Sequence, residues 1–167
     1  PSILVPIERK RLLESIPTYD HQSIFFTYYK YGDLISLWGN GLMMGADYYR
    51  ENRFTFLLVC GIADPGGLIE YLRRHTSKLE TILFPDHHSF STNEIDDIKR
   101  KFDAIANPNK IIITTEKDAM RLMDPRLMDS LKQLPVFYVP IEVAFHQDEK
   151  VFNNRILEYV RKNKRSN

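Results

Sequence analysis

Asp86, His87 and His88 stand side by side in FPDHHSF (84–90), directly after the apolar run LETILF. Histidine titrates near neutral pH and can act as base, acid or metal ligand. Consecutive side chains seldom point to one centre, so at most one of His87 and His88 is expected to reach a reacting group. The other is expected to pack or to hydrogen-bond. From these residues alone, a titratable site and a polar turn both remain open.

Two further turns bear on the question, GIADPGG (61–67) and TTEKD (114–118). Asp64 followed by Pro65 is a good N-cap and first helical residue. Ser91-Thr92-Asn93-Glu94 has the form of a capping box. Thr115 can cap, and Asp118 sits where the returning carboxylate of such a box belongs. Glu116 and Asp118 also suit a helix dipole. Lys117 is either a phosphate contact or a member of a local ion pair. Free N–H groups at helix starts suit anions, so Gly61, Asp64, Thr115, Glu116, Lys117 and Asp118 are candidate crevice or phosphate residues, with Asp86, His87 and His88 the candidate catalytic ones.

Other chemistries lack their marks. The two-metal phosphoesterases that share the letters DHH need aspartates in D-x-D spacing, which is absent, and His21, His75 and His146 are scattered without ligand spacing. No metal site is therefore expected. There is no G-x-S-x-G of a serine hydrolase. Gly39, Gly41 and Gly45 form a G-x-G-x-x-x-G pattern with no convincing helix after it, which favours a plain glycine loop over a dinucleotide site.

The elements that must position the three turns follow from hydrophobic pattern. Residues 6–16 read as a short amphipathic helix, 23–31 as an aromatic-rich strand, 34–38 as a strand or extended link, and 39–53 as a loop. Strands are then expected at 54–60, 79–84, 110–115 and 136–142, with helices at 65–75, 92–105, 116–123, 126–134 and 149–163. This alternation predicts an α/β fold, a Rossmann-like parallel sheet with helices on both faces, preceded by a short helix and a β connecting segment. The division expected is a connecting region at 1–53 and an α/β domain at 54–167. The three turns should then lie on one edge of the sheet, where doubly wound proteins bind ligands.

The 167 residues, 43% hydrophobic and 27% charged, are those of a soluble globular chain. A net charge of +1 points to no nucleic-acid partner. The one local excess, Arg161-Lys162-Lys164-Arg165, reads as a solvated end, with contact to anionic lipid or phosphate as the alternative. The single cysteine, Cys60, lies in the run FTFLLVC and reads as a core residue. Starting at Pro1, the chain reads as a piece of something longer. Tyr28, Tyr29, Tyr31, Trp38, Met43 and Met44 read mostly as core, with a lipid-facing surface as the alternative.

Gly61-Ile62-Ala63-Asp64-Pro65, then Phe84-Pro85-Asp86-His87-His88-Ser89-Phe90-Ser91, then Thr114-Thr115-Glu116-Lys117-Asp118-Ala119-Met120-Arg121-Leu122 resemble, in order and spacing, the motifs of the tetraacyldisaccharide 4′-kinases of Gram-negative bacteria. PIERKR (6–11) and IFFTYYKY (24–31) resemble the segment that follows that family's ATP-binding half. The resemblance implies transfer of the γ-phosphoryl of ATP, with Mg²⁺, to the 4′-hydroxyl of a tetraacyldisaccharide 1-phosphate lipid in lipid A biosynthesis. It implies work at the cytoplasmic face of the inner membrane, with peripheral membrane contact. None of the seven glycines precedes a lysine, so G-x-x-x-x-G-K-(S/T) does not occur here. The expectation is a C-terminal domain, soluble and inactive alone, whose partner is an N-terminal P-loop domain that supplies the main ATP and Mg²⁺ ligands. His87 is the histidine the resemblance places beside an aspartate of that half, with Asp86 and His88 supporting the turn. The competing expectation is a non-catalytic Rossmann-like module that binds a nucleotide or phosphate.

Overall fold

The computed structural model describes residues 4–39 and 44–163. Two compact units are distinguished, one from Tyr31 to Ile141 and one made of the chain up to Lys30 and from Glu142 on. The division differs from the boundary at 53/54 because Leu34 and Tyr49 join the core of the sheet, while the chain after Ile141 belongs with its early segment.

The larger unit is a five-stranded sheet in the order β2-β6-β5-β3-β4. Its strands are β2 (Ile35–Ser36), β3 (Thr55–Cys60), β4 (Lys78–Leu83), β5 (Lys110–Thr115) and β6 (Val136–Val139). β3 runs parallel to β4 and β5, and β5 parallel to β6. Every residue of β3 is buried, as a strand covered on both faces requires. One face packs Leu57, Val59, Ile112 and Val136 against α4 (Thr92–Ala104), α5 (Glu116–Leu122) and α6 (Pro125–Leu131). The other packs Phe56, Leu58, Cys60, Ile111 and Ile113 against α3 (Gly66–Arg73) and Tyr49 of α2 (Ala46–Glu51). The expected sheet with helices on both faces is present.

Several expectations need correction. The stretch 34–38 neither pairs with 23–31 nor runs on as a link; its residues Ile35 and Ser36 lie antiparallel to β6. The single strand expected at 136–142 is two, because Pro140 has no N–H to donate to a ladder. Inside the expected loop 39–53 lies α2, too short to show a period, held by the Asp47–Arg50 ion pair at 2.9 Å and by buried Tyr49. Gly41 and Met43 lie outside the described residues, as do Lys164 and Arg165. Trp38 and Met44 are partly buried against the two cores, and Tyr31 stacks on Tyr71.

In the smaller unit β1 (Thr27–Tyr31), shorter than the strand expected at 23–31, pairs with β7 (Ile141–Phe145). Phe152 of α7 (Glu149–Asn163) packs on Phe25 and Phe145. α1 (Pro6–Ser15) is not amphipathic: it buries none of its residues. Ile7 lies about opposite Leu12 and Leu13 around the helix, so no single apolar stripe forms.

One polar feature of the larger core gives a pH dependence. Among the described residues, Tyr49 Oη and His75 Nε2 are buried without hydrogen-bond partners, and both residues line a small cavity with Asp33 and Tyr71. Burial pushes the His75 imidazole below its ordinary pKa; Arg50 and Arg74 act the same way, and Asp47 and Asp33 oppose them. The unfolded chain therefore takes up a proton at this residue, near pH 6.5, before the folded one does. Its contribution is fully present above that value and is lost as pH falls through the folded pKa. The urea midpoint should drop between about pH 7 and pH 5, and His75→Phe, which keeps the ring contact with Tyr71, should flatten the drop. An equal drop in the variant contradicts this assignment.

Candidate active site

The turns after β4, β3 and β5 leave neighbouring strands, with the turn after β3 in the middle. Three contacts join them. A Cβ on Gly61 would meet Pro85 O at 3.0 Å and His88 Cβ at 3.1 Å, so the FPDHHSF turn rests directly on the end of β3. The Gly61 N–H donates to Asp118 Oδ2 at 2.9 Å. Lys117 Nζ donates to Asp86 Oδ1 at 2.7 Å. The three turns do gather on one rim.

Asp118 has no exposed surface. Its Oδ2 also accepts the Thr115 hydroxyl at 2.8 Å, and its Oδ1 accepts Arg121 Nη1 at 2.9 Å. It does not return to the cap N–H as a capping box would. Its carboxylate spans to the neighbouring strand instead, while Thr115 caps α5 by accepting the Asp118 N–H.

The two histidines part company. His88 stacks on Phe84 at 4.5 Å and meets Phe90 edge-on at 5.3 Å. Its Nε2 lies 3.0 Å from Glu94 Oε1, close enough for an ion pair but not aligned as a hydrogen bond. The other Glu94 oxygen accepts the Ser91 N–H at 2.8 Å and the Ser91 hydroxyl at 2.7 Å. Those bonds from Ser91, with His88 adding less, hold the Glu94 carboxyl below its ordinary pKa. The expected capping box forms.

His87 faces out, its side chain 77% exposed, with backbone φ at +60°. Its own N–H donates to Asp86 Oδ1 at 2.8 Å, and its Nε2 lies 3.6 Å from Asp86 Oδ2. The Lys117 hydrogen bond, then the His87 N–H, lower the Asp86 pKa. Of the other candidates, Glu116 is exposed at the start of α5 and Asp64 is exposed before α3. α3 starts one residue later than expected, with Pro65 in the cap position and Asp64 Oδ1 accepting the Gly66 N–H.

These pairings test the fit of an anion or metal. The helix-start N–H groups of Gly66, Glu94 and Asp118 already meet the side chains of Asp64, Ser91 and Thr115. Among the described residues no group of three or more His, Cys, Asp or Glu is placed to hold a metal ion. Asp86 and Asp118 are committed to cationic or N–H donors. One N–H at each helix start is thus already met by a side chain of its own turn. What the arrangement offers is one exposed imidazole, capable of donating or accepting a proton, on a braced turn.

Sequence reasoning missed Arg121, the cationic partner of Asp118, although its i+3 spacing was a signal. It missed the second role of Glu94 beside His88. For Lys117 it left open a phosphate contact and an ion pair within its own turn; the partner in the structure is Asp86.

A family model described as tetraacyldisaccharide-1-P 4′-kinase matches residues 38–161. A tetraacyldisaccharide 4′-kinase of Phocaeicola vulgatus is 36% identical over 167 residues, covering 99% of this chain and 45% of its own length. One of Bacteroides thetaiotaomicron is 32% identical, covering 99% of this chain and 46% of its own length. A crystal structure of LpxK from Aquifex aeolicus in complex with ATP aligns with a TM-score of 0.45 and 19% identity, over 84% of this chain and 38% of that one. The chain thus spans about half the length of the curated relatives it matches.

The braced rim has a stability signature. Asp118→Ala leaves the Arg121 cation and a buried N–H without their partner and should cost about 3–5 kcal/mol. Gly61→Ala forces its new methyl against backbone and should cost about 1–3 kcal/mol. Urea unfolding of each variant measures this. Stabilities within about 0.5 kcal/mol of the parent contradict the contacts described.

Proposed function

We infer the function from one premise: the chain belongs to the tetraacyldisaccharide-1-P 4′-kinase family. It is the C-terminal part of a longer enzyme that uses ATP and Mg²⁺ to phosphorylate the 4′-hydroxyl of a tetraacyldisaccharide 1-phosphate, a step of lipid A biosynthesis. That enzyme works at the cytoplasmic face of the inner membrane, and this chain alone does not transfer phosphate. In support, the relatives bearing that name are about twice as long. The phosphate and metal ligands lie in the part this chain does not span, consistent with Asp86 and Asp118 being already paired. α7 buries none of its residues and exposes Ile156, Tyr159 and Val160 on one face, an apolar surface the remaining half would cover.

The observation that carries the catalytic reading is the exposed His87 imidazole on the shared rim. Its backbone lies in the left-handed region, and its ring stands free of the Phe84–His88–Phe90 stack. ATP would supply the phosphoryl group. His87 donates an imidazole N–H to an aspartate of the other half, and that aspartate removes the proton of the sugar hydroxyl. The imidazole orients the carboxylate and then shares the proton it receives. His88, wedged between two phenylalanines, positions the turn.

In the full-length enzyme His87→Asn, which keeps the turn, should lower kcat about a hundredfold or more while leaving thermal stability unchanged. Unchanged turnover overturns the role of His87. Calorimetric titration of this chain with ATP should show no binding tighter than about 1 µM. Tighter binding, without a phosphate loop, would favour a free-standing nucleotide module.

A further inference from the structure

We propose that Lys117 is a positioning residue for His87, acting through Asp86, and not a ligand of the transferred phosphate. The proposal rests on the role for His87 just given. Lys117 lies in the first turn of α5, next to Asp118, whose buried carboxylate ties that helix to the end of β3. Its backbone therefore sits on a fixed element. Its ammonium crosses 31 positions of sequence to reach Asp86. Lys117 and Asp86 are 40% and 38% exposed, less open to screening than most of the ion pairs on this surface.

The bonding at Asp86 is one-sided. Lys117 Nζ and the His87 N–H both donate to Oδ1, at 2.7 and 2.8 Å. Two donors on one oxygen fix the carboxylate rotamer and leave Oδ2 turned to the imidazole, 3.6 Å from Nε2. Removing the ammonium frees the carboxylate to swing, and with it the acceptor that pins the His87 amide. The same geometry argues against phosphate binding. An incoming phosphate would have to take the ammonium from Asp86 while lying beside its negative charge.

Two sets of measurements test this. In this chain, NMR amide exchange at His87 should quicken several-fold in Lys117→Met and stay near the parent rate in Lys117→Arg. In an Asp86→Ala background Lys117→Met should add nothing. A parent-like His87 exchange rate in Lys117→Met overturns the proposal. In the full-length enzyme Lys117→Met should lower kcat several-fold with the KM for ATP within about twofold of the parent, and Lys117→Arg should recover the rate. A KM for ATP raised about tenfold at unchanged kcat marks a phosphate ligand and also overturns it. If Lys117→Met disturbs His87 exchange while His87→Asn leaves turnover intact, the catalytic role of His87 is what fails, and Lys117 remains an organiser of the turn.

Discussion

The rim depends on a carboxylate that has no access to water. A buried carboxyl group is tolerated only when donors surround it, and Asp118 has three, from Gly61, Thr115 and Arg121. They come from two neighbouring strand ends and from the helix that follows one of them. The strands concerned, β3 and β5, are adjacent, and the helices that follow them pack on opposite faces. Such a switch point is where a doubly wound sheet usually admits a ligand. Here the chain bridges it with its own side chain. The exposed imidazole of this edge is displaced outward, on the turn that leans on Gly61.

That displacement explains the different fates of two adjacent histidines. The backbone at His87 turns into the left-handed region, which sends one ring outward and the next inward. His88 becomes part of a stack continuous with Phe84 and Phe90, braced by the same glutamate that caps α4. His87 keeps Asp86 beside it, itself tied to α5. Cys60, the residue before Gly61, is excluded from this chemistry: burial first, and then the Asp118 charge, push its thiol up to about 11.

Much of this was legible in the sequence because local signals agreed with the tertiary outcome. The alternation after residue 54 gave the parallel strands, and Ser91 with Glu94 formed the box their spacing implied. A parallel sheet places the three turns on one edge, but that they are neighbours depended on a strand order the sequence left open. What stayed hidden was long-range. The antiparallel edge made by Ile35 and Ser36 is two residues long and leaves no period. α2 is anchored by one buried tyrosine. The partner of Lys117 lies on another turn, beyond any local pattern, and the outward reach of Asp118 to Gly61 replaced the local cap its position implied.

The clasp at Asp118 is tested most directly by native-state hydrogen exchange at the Gly61 amide, followed against denaturant. A bond from Gly61 to a sealed carboxylate breaks only when the sheet comes apart, so this amide should exchange with the free energy and denaturant slope of global unfolding. Exchange through a small local opening, insensitive to denaturant, would mean that the rim is not held in this way.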